Sequence, residues 1–135
     1  MKKLLIVVVV AVTALNGCAL YNAYMMTKYD PNEYRIITEI RYDAQQAKTY
    51  CDDTDTSRVN AVNLASKTHM FTLYSEHVPK NKDLITASTE LDAIAQGLAN
   101  QYTKPTVSAG FCRIKFGNVE TAADYMQKVI GARPR

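Results

Sequence analysis

Glycine and proline are scarce in this chain, whose 135 residues contain five glycines and four prolines. No tract is low in complexity and no internal repeat is present, which excludes a repeat array. Lysine and arginine form no cluster, so the basic patch typical of nucleic-acid-binding proteins is missing. No apolar run reaches the roughly 20 residues that a membrane-spanning helix needs.

The motifs of common enzyme classes are also missing. The chain has no GxSxG nucleophile motif, no glycine-rich phosphate loop and no HExxH zinc motif. Its candidate paired carboxylates alternate with basic residues, which favours solvated helix faces over a catalytic pair. These carboxylates are Glu33, Glu39, Asp43 and Glu76. We therefore predict no catalytic residues, no enzymatic activity and no cofactor.

The sequence argues against two kinds of metal site. His69 and His77 are eight residues apart and lack the HxxxH spacing of a zinc site, and the cysteines form no CxxC pair. A calcium loop beginning at Asp53 would need glycine at position 58 and glutamate at position 64, where Arg58 and Leu64 stand. We expect no metal ligands.

The first eighteen residues follow a recognisable order. A basic start, Met1-Lys2-Lys3, precedes an aliphatic run of about a dozen residues, the usual length of the apolar part of a signal peptide. The run ends at Leu15-Asn16-Gly17-Cys18. This segment resembles a bacterial lipoprotein precursor, with these four residues as its lipobox.

The resemblance implies that residues 1–17 are removed and that Cys18 becomes the lipid-modified first residue. Several acyl chains would hold the protein stably on a membrane. Ala19 stands where aspartate would signal retention in the inner membrane, so the resemblance implies the outer membrane, with the protein facing the periplasm. The alternative from the residues alone is an uncleaved inner-membrane anchor.

Removal of residues 1–17 leaves 118 residues, the size of one domain. Fourteen basic and thirteen acidic side chains remain, for a net charge of +1. Cys51 and Cys112 would then lie in an oxidising compartment, where two cysteines are expected to form a disulfide. We predict an anchor and tether at 18–30, a helical domain at 31–131 and a frayed tail at 132–135.

The tether is rich in tyrosine and methionine. Two interpretations remain: these side chains lie at the lipid headgroups or along the base of the domain, or they form a docking strip for a partner. The residues are Tyr21, Tyr24, Met25, Met26 and Tyr29.

Apolar spacings of three and four predict four helices. Asp30-Pro31-Asn32-Glu33 is a helix start with a capping box. The predicted ranges are Pro31 to about Tyr50, Ser57 to about His77, a third helix closed by Thr103-Lys104-Pro105, and Thr106 to Ile130.

The same spacings predict which positions of each helix are buried. The predicted buried positions of the first helix are Ile36, Ile37, Ile40, Ala44, Ala47 and Cys51. Those of the second are Val59, Val62, Ala65 or Ser66, His69 or Met70, and Leu73. Those of the third are Leu84, Ser88, Leu91, Ala95, Leu98 and Tyr102, with Ile85, Ala87 and Ile94 broadening the face. Those of the fourth are Val119, Ala122, Met126 and Val129 or Ile130.

The start of the fourth segment is ambiguous. Residues 111–116 alternate apolar and basic side chains, as a strand would, but a lone strand among helices would lack a pairing partner. We expect a helix, with a break near Gly117-Asn118 left open. Short connections predict an all-α, up-down four-helix bundle, in which Cys51 and Cys112 fall at the same pole, away from the lipid.

Function is predicted only by class. The first hypothesis is a non-enzymatic binding or accessory module of the cell envelope with an envelope protein partner. The chain also resembles small phage-encoded outer-membrane lipoproteins such as the outer-membrane spanin subunit, which implies a role in lysis. The third hypothesis is a superinfection-exclusion or inhibitor lipoprotein. The oligomeric state is not predicted.

Overall fold

A computed structural model describes residues 27–135, and this part of the chain contains four α-helices and no strand. The helices are α1 (Pro31–Ala47), α2 (Thr54–Glu76), α3 (Lys82–Gln101) and α4 (Ala109–Gly131), with a 3-10 turn, Lys48–Tyr50, after α1. Each helix packs on the next, and α4 returns against α1. The predicted all-α four-helix bundle is therefore confirmed. The predicted signal peptide and lipobox lie outside the described residues.

Side-chain caps fix where the helices begin. The Asp30 carboxylate accepts hydrogen bonds from the backbone N–H groups of Asn32 (2.8 Å) and Glu33 (2.9 Å), as the sequence predicted. Asp53 accepts from the N–H groups of Asp55 (3.0 Å) and Thr56 (3.1 Å). Because Asp53 caps the helix, α2 begins three residues earlier than predicted.

The ambiguous fourth segment is helical. Helix α4 is continuous through Gly117 and Asn118, and the strand alternative is wrong. Cys112, Phe116 and Val119 are fully buried at spacings of four and three. A strand would place Cys112 and Phe116 on one face but would turn Val119 to the opposite one. The buried face is therefore the evidence for a helix.

The predicted buried face of the first helix is confirmed at every position. In the third helix the row from Leu84 to Tyr102 is buried as predicted, whereas Ile85 and Ala87 are half-buried and Ile94 is 37% exposed. In α4, Val119, Met126 and Ile130 are buried as predicted, Ala122 is half-buried and Val129 is 43% exposed. Helices α1 and α3 contribute most of the aliphatic core. Phe71 of α2 and Phe116 of α4 are the largest fully buried side chains and fill the space between them.

The predicted buried face of α2 is wrong except at Ala65. Val59, Val62, Met70 and Leu73 are exposed by 47–58%. The buried side is instead Ser57, Ala61, Leu64, Ala65, Thr68, Phe71, Thr72 and Ser75. Burial of the Ser57, Thr68 and Thr72 hydroxyls costs little because each donates to a backbone carbonyl, as Thr68 Oγ1 does to Ala65 O (3.0 Å). Among the described residues, the buried Ser75 hydroxyl has no hydrogen-bond partner.

Cys51 and Cys112 form the predicted disulfide, with their Cα atoms 5.7 Å apart. Cys51 follows the 3-10 turn and Cys112 lies in the first turn of α4, at one pole of the bundle. Arg58 Nε donates to Tyr102 O (3.2 Å), which brings the α3–α4 connection to the same pole. We call this the distal pole.

The opposite, proximal pole holds both ends of the described chain. Tyr29 N–H donates to Pro134 O (2.9 Å), and the Arg133 guanidinium pairs with Glu33 inside the bundle. The prediction of a frayed tail is therefore wrong. Glu33 is also fully buried, so the prediction of a solvated carboxylate fails at this position.

Candidate binding surface on helix α2

The solvent side of α2 carries a row of apolar side chains, Val59, Val62, Met70 and Leu73, which we call the α2 stripe. Their exposed fractions are 58%, 54%, 48% and 47%. Spacings of three, eight and three residues keep all four on one side of a helix. At 1.5 Å per residue the stripe is about 21 Å long.

The stripe faces outward because the opposite side of α2 packs better. That side carries Phe71 and Leu64 together with small residues that let the neighbouring helices approach closely. Turning the helix by half a turn would bury the four stripe residues but would expose Phe71 and Leu64 to water. It would also force larger side chains into the space now held by alanine, serine and threonine. Close packing against the neighbouring helices therefore favours the observed orientation.

Charged groups along α2 are held to the flanks of the stripe. On the α1 side, Lys67 Nζ lies 2.5 Å from Asp43 Oδ2 and 3.7 Å from Glu39 Oε2. On the α3 side, His69 Nδ1 lies 3.0 Å from Asp92 Oδ2. These pairs draw the ionic side chains away from the midline, so the centre of the stripe offers apolar groups and the Ser66 hydroxyl.

Asp92 is the most connected polar group beside the stripe. Besides His69, its Oδ1 accepts from Thr68 Oγ1 (3.0 Å) and Gln96 Nε2 (3.2 Å). Gln96 Nε2 also donates to Ala65 O (3.2 Å). The network ties α2 to α3 and fixes the orientation of His69, which lies on the solvent side.

An open groove of about 220 Å³ runs between α1 and α2, next to the stripe. Exposed Tyr42 and Tyr50 stand on its α1 side, and Asn60 and Asn63 on its α2 side. Two aromatic rings and two amides give this groove both apolar contact and hydrogen-bonding capacity. It extends the stripe toward α1 as one surface.

Among the described residues, the side chains with clearly shifted pKa values take part in contacts that hold the fold together. A hydrogen bond from the Thr56 hydroxyl lowers the pKa of Asp53 at the start of α2. A hydrogen bond from Lys128 likewise lowers the pKa of Asp124. Burial raises the pKa of Tyr74, whose hydroxyl lies 3.1 Å from both carboxylate oxygens of Asp30.

The predicted site residues divide into two groups. Cys51 and Cys112 are brought together as the disulfide, while Cys18 lies outside the described residues. Between residues 27 and 135, no three histidine, cysteine, aspartate or glutamate side chains are grouped closely enough to hold a metal ion. Within the same range, no helix is long and apolar enough to cross a membrane.

The α2 stripe is the feature that sequence reasoning missed. Helix α2 has apolar residues on two opposite sides. The periodicity of Val59, Val62 and Leu73 predicts that their side is buried, which is wrong. The signal that could have found the stripe was Phe71, the one phenylalanine of the helix, which lies off that row.

Comparison with protein families, curated proteins and solved structures gave no match for the chain.

Proposed function

We propose that this chain is a lipid-anchored protein of the outer membrane that faces the periplasm and acts as a non-enzymatic binding module. The surface that binds is the α2 stripe with its adjoining groove, and the partner is a protein of the envelope. The exposed stripe is the single observation that carries this proposal.

Apolar side chains that stay exposed to water carry a free-energy cost. Each Å² of apolar surface that remains in water forgoes about 25 cal/mol. Single exposed apolar side chains are ordinary, but a continuous row along one helix is a feature of interaction sites. A helix that presents apolar residues along one face matches the way helices dock on protein partners.

The anchor half of the proposal is supported by the order of residues 1–18. A lipid on Cys18 would tether the domain to the membrane through its proximal pole, because Thr27 to Asp30 lie at that pole. Helix α2 would then be reached from the periplasm. Cys18→Ala should move the protein from the membrane fraction to the soluble periplasmic fraction; an unchanged membrane fraction would remove the lipoprotein assignment.

The binding half is tested by photocrosslinking in cells. p-Benzoylphenylalanine placed at position 62 of the full chain should give a covalent adduct on illumination, because a partner covers the α2 stripe. Position 114 of α4 is the matched control, since Ile114 is 65% exposed but lies away from the stripe. Equal adduct yields at the two positions, or none at either, would contradict the proposed surface.

A further inference from the structure

The α2 stripe is symmetric about Ser66. Val62 and Met70 each lie four residues from Ser66, and Val59 and Leu73 each lie seven residues from it. All four side chains are exposed, and Ser66 is exposed between them. The order of apolar groups is therefore the same when the helix is followed in either direction.

From this symmetry we infer that the partner of the α2 stripe is a second copy of the same chain. The two α2 helices pack antiparallel and cross at Ser66. The inference rests on the proposed function, because it names the partner of the same surface. In a two-fold interface, residue i meets residue j and j meets i. Val62 of one copy then meets Met70 of the other, and Val59 meets Leu73.

The ends of the helix are also complementary. Asp55 and His77 each lie eleven residues from Ser66, so antiparallel packing brings an acidic residue beside a basic one at both ends. The same packing places the positive N-terminal end of one α2 next to the negative C-terminal end of the other. A parallel pair would instead juxtapose like ends and like side chains.

The centre of the stripe suits a close crossing. Serine is small, and the separation of packed helices depends on the side chains at their contact point. The nearest cation, Lys67, is held by Asp43 and Glu39 on the α1 side. Two copies can therefore meet at Ser66 without burying a charge.

The size of the stripe sets the strength of this pairing. One helix face is smaller than the roughly 800 Å² per partner of a standard stable interface. The dimer should be weak in dilute solution and should form where a membrane concentrates the chains. The two-fold axis is perpendicular to α2, so the proximal poles of the two copies point in opposite directions along α2. Both anchors insert in the same membrane when α2 lies parallel to the membrane surface and the two-fold axis lies along the membrane normal.

Cysteine crosslinking of the full, membrane-anchored chain tests the geometry. Ser66→Cys places two thiols at the two-fold axis, where a disulfide can form. Non-reducing electrophoresis should show a several-fold larger dimer fraction than for Glu90→Cys, an exposed control on α3. Val62→Cys alone should stay near the control level, whereas Val62→Cys combined with Met70→Cys should dimerise.

The outcomes separate this inference from the proposed function. Strong dimerisation of Val62→Cys alone would mean parallel pairing and would overturn the antiparallel model. Control-level dimer from Ser66→Cys, together with a photoadduct at position 62 of heteromeric mass, would overturn self-pairing and leave the proposed surface intact. Control-level dimer without a selective photoadduct at position 62 would overturn both.

Discussion

Arg133 Nη1 lies 2.6 Å from Glu33 Oε2, and this ion pair is buried at the proximal pole although the two residues are 100 positions apart. Asn81 completes the contact. Its Nδ2 donates to Glu33 Oε1 (2.5 Å), and its Oδ1 accepts from Arg133 Nη2 (2.7 Å). The network joins the start of α1, the α2–α3 connection and the C-terminal segment.

Removal of Arg133 should destabilise the protein, because an unpaired buried charge is unfavourable. Arg133→Met leaves the Glu33 carboxylate without its cation, so we expect the free energy of unfolding to fall by about 3–5 kcal/mol. Urea unfolding followed by circular dichroism measures this. Arg41→Met is the matched control, because the Arg41–Asp124 pair is partly exposed and should contribute no more than about 1 kcal/mol.

A second variant distinguishes the charge from the packing. Arg133→Met combined with Glu33→Gln removes both charges and keeps an acceptor for Asn81, so it should recover much of the lost stability. If the double variant were as unstable as Arg133→Met alone, lost packing of Arg133 would be the cause.

The disulfide should stabilise the bundle through the unfolded chain. Cys51 and Cys112 are 61 residues apart, and closing a loop of this size contributes about 4 kcal/mol in the chain-entropy model. Cys51→Ala combined with Cys112→Ala should therefore lower the thermal midpoint, and a reductant should then have no further effect. Equal midpoints with and without the bridge would contradict the entropic account.

Acid should weaken the start of α2. The pKa of Asp53 lies below its ordinary value of 3.8, because Thr56 donates to the carboxylate. A lowered folded-state pKa means that this carboxylate stabilises the protein above pH 3.8 and loses that effect as the pH falls through the folded-state pKa. The difference in thermal midpoint between the wild type and Asp53→Asn should shrink as the pH falls from 3.8 through the folded-state pKa of Asp53. A difference independent of pH would contradict it.

Two neighbouring positions of α2 test which side of this helix is buried. Phe71→Ala should cost about 3–5 kcal/mol, because it leaves a cavity between the helices. Leu73→Ala, two residues further on, should change stability by no more than about 0.5 kcal/mol, because its side chain is on the solvent side. Chemical denaturation compares the two. Equal costs would mean that the observed face of α2 is wrong.

The local sequence was enough to predict most of the helices. Asp30 and Pro31 specify the start of α1 because the carboxylate and the fixed proline geometry act within one turn. The cysteines were predicted to meet because short connections force antiparallel neighbours. These features depend on residues close in sequence or on simple connectivity.

The proximal network could not be predicted in this way. Glu33 occupies a capping-box position and was expected to be solvated, yet it is buried against Arg133. The residues near Glu33 and near Arg133 in the sequence contain no signal that predicts a partner 100 positions away. The tail was expected to fray for the same reason.

The sequence by itself therefore determined the helical class, the start of α1 and the meeting of Cys51 with Cys112, since capping and spacing are local. The tertiary structure alone decided which side of α2 is buried and what Glu33 contacts. Helix α2 offers two apolar sides, and periodicity cannot rank them. Only packing against the two neighbouring helices, α1 and α3, selects Phe71 for the core and leaves Val62 and Leu73 in water.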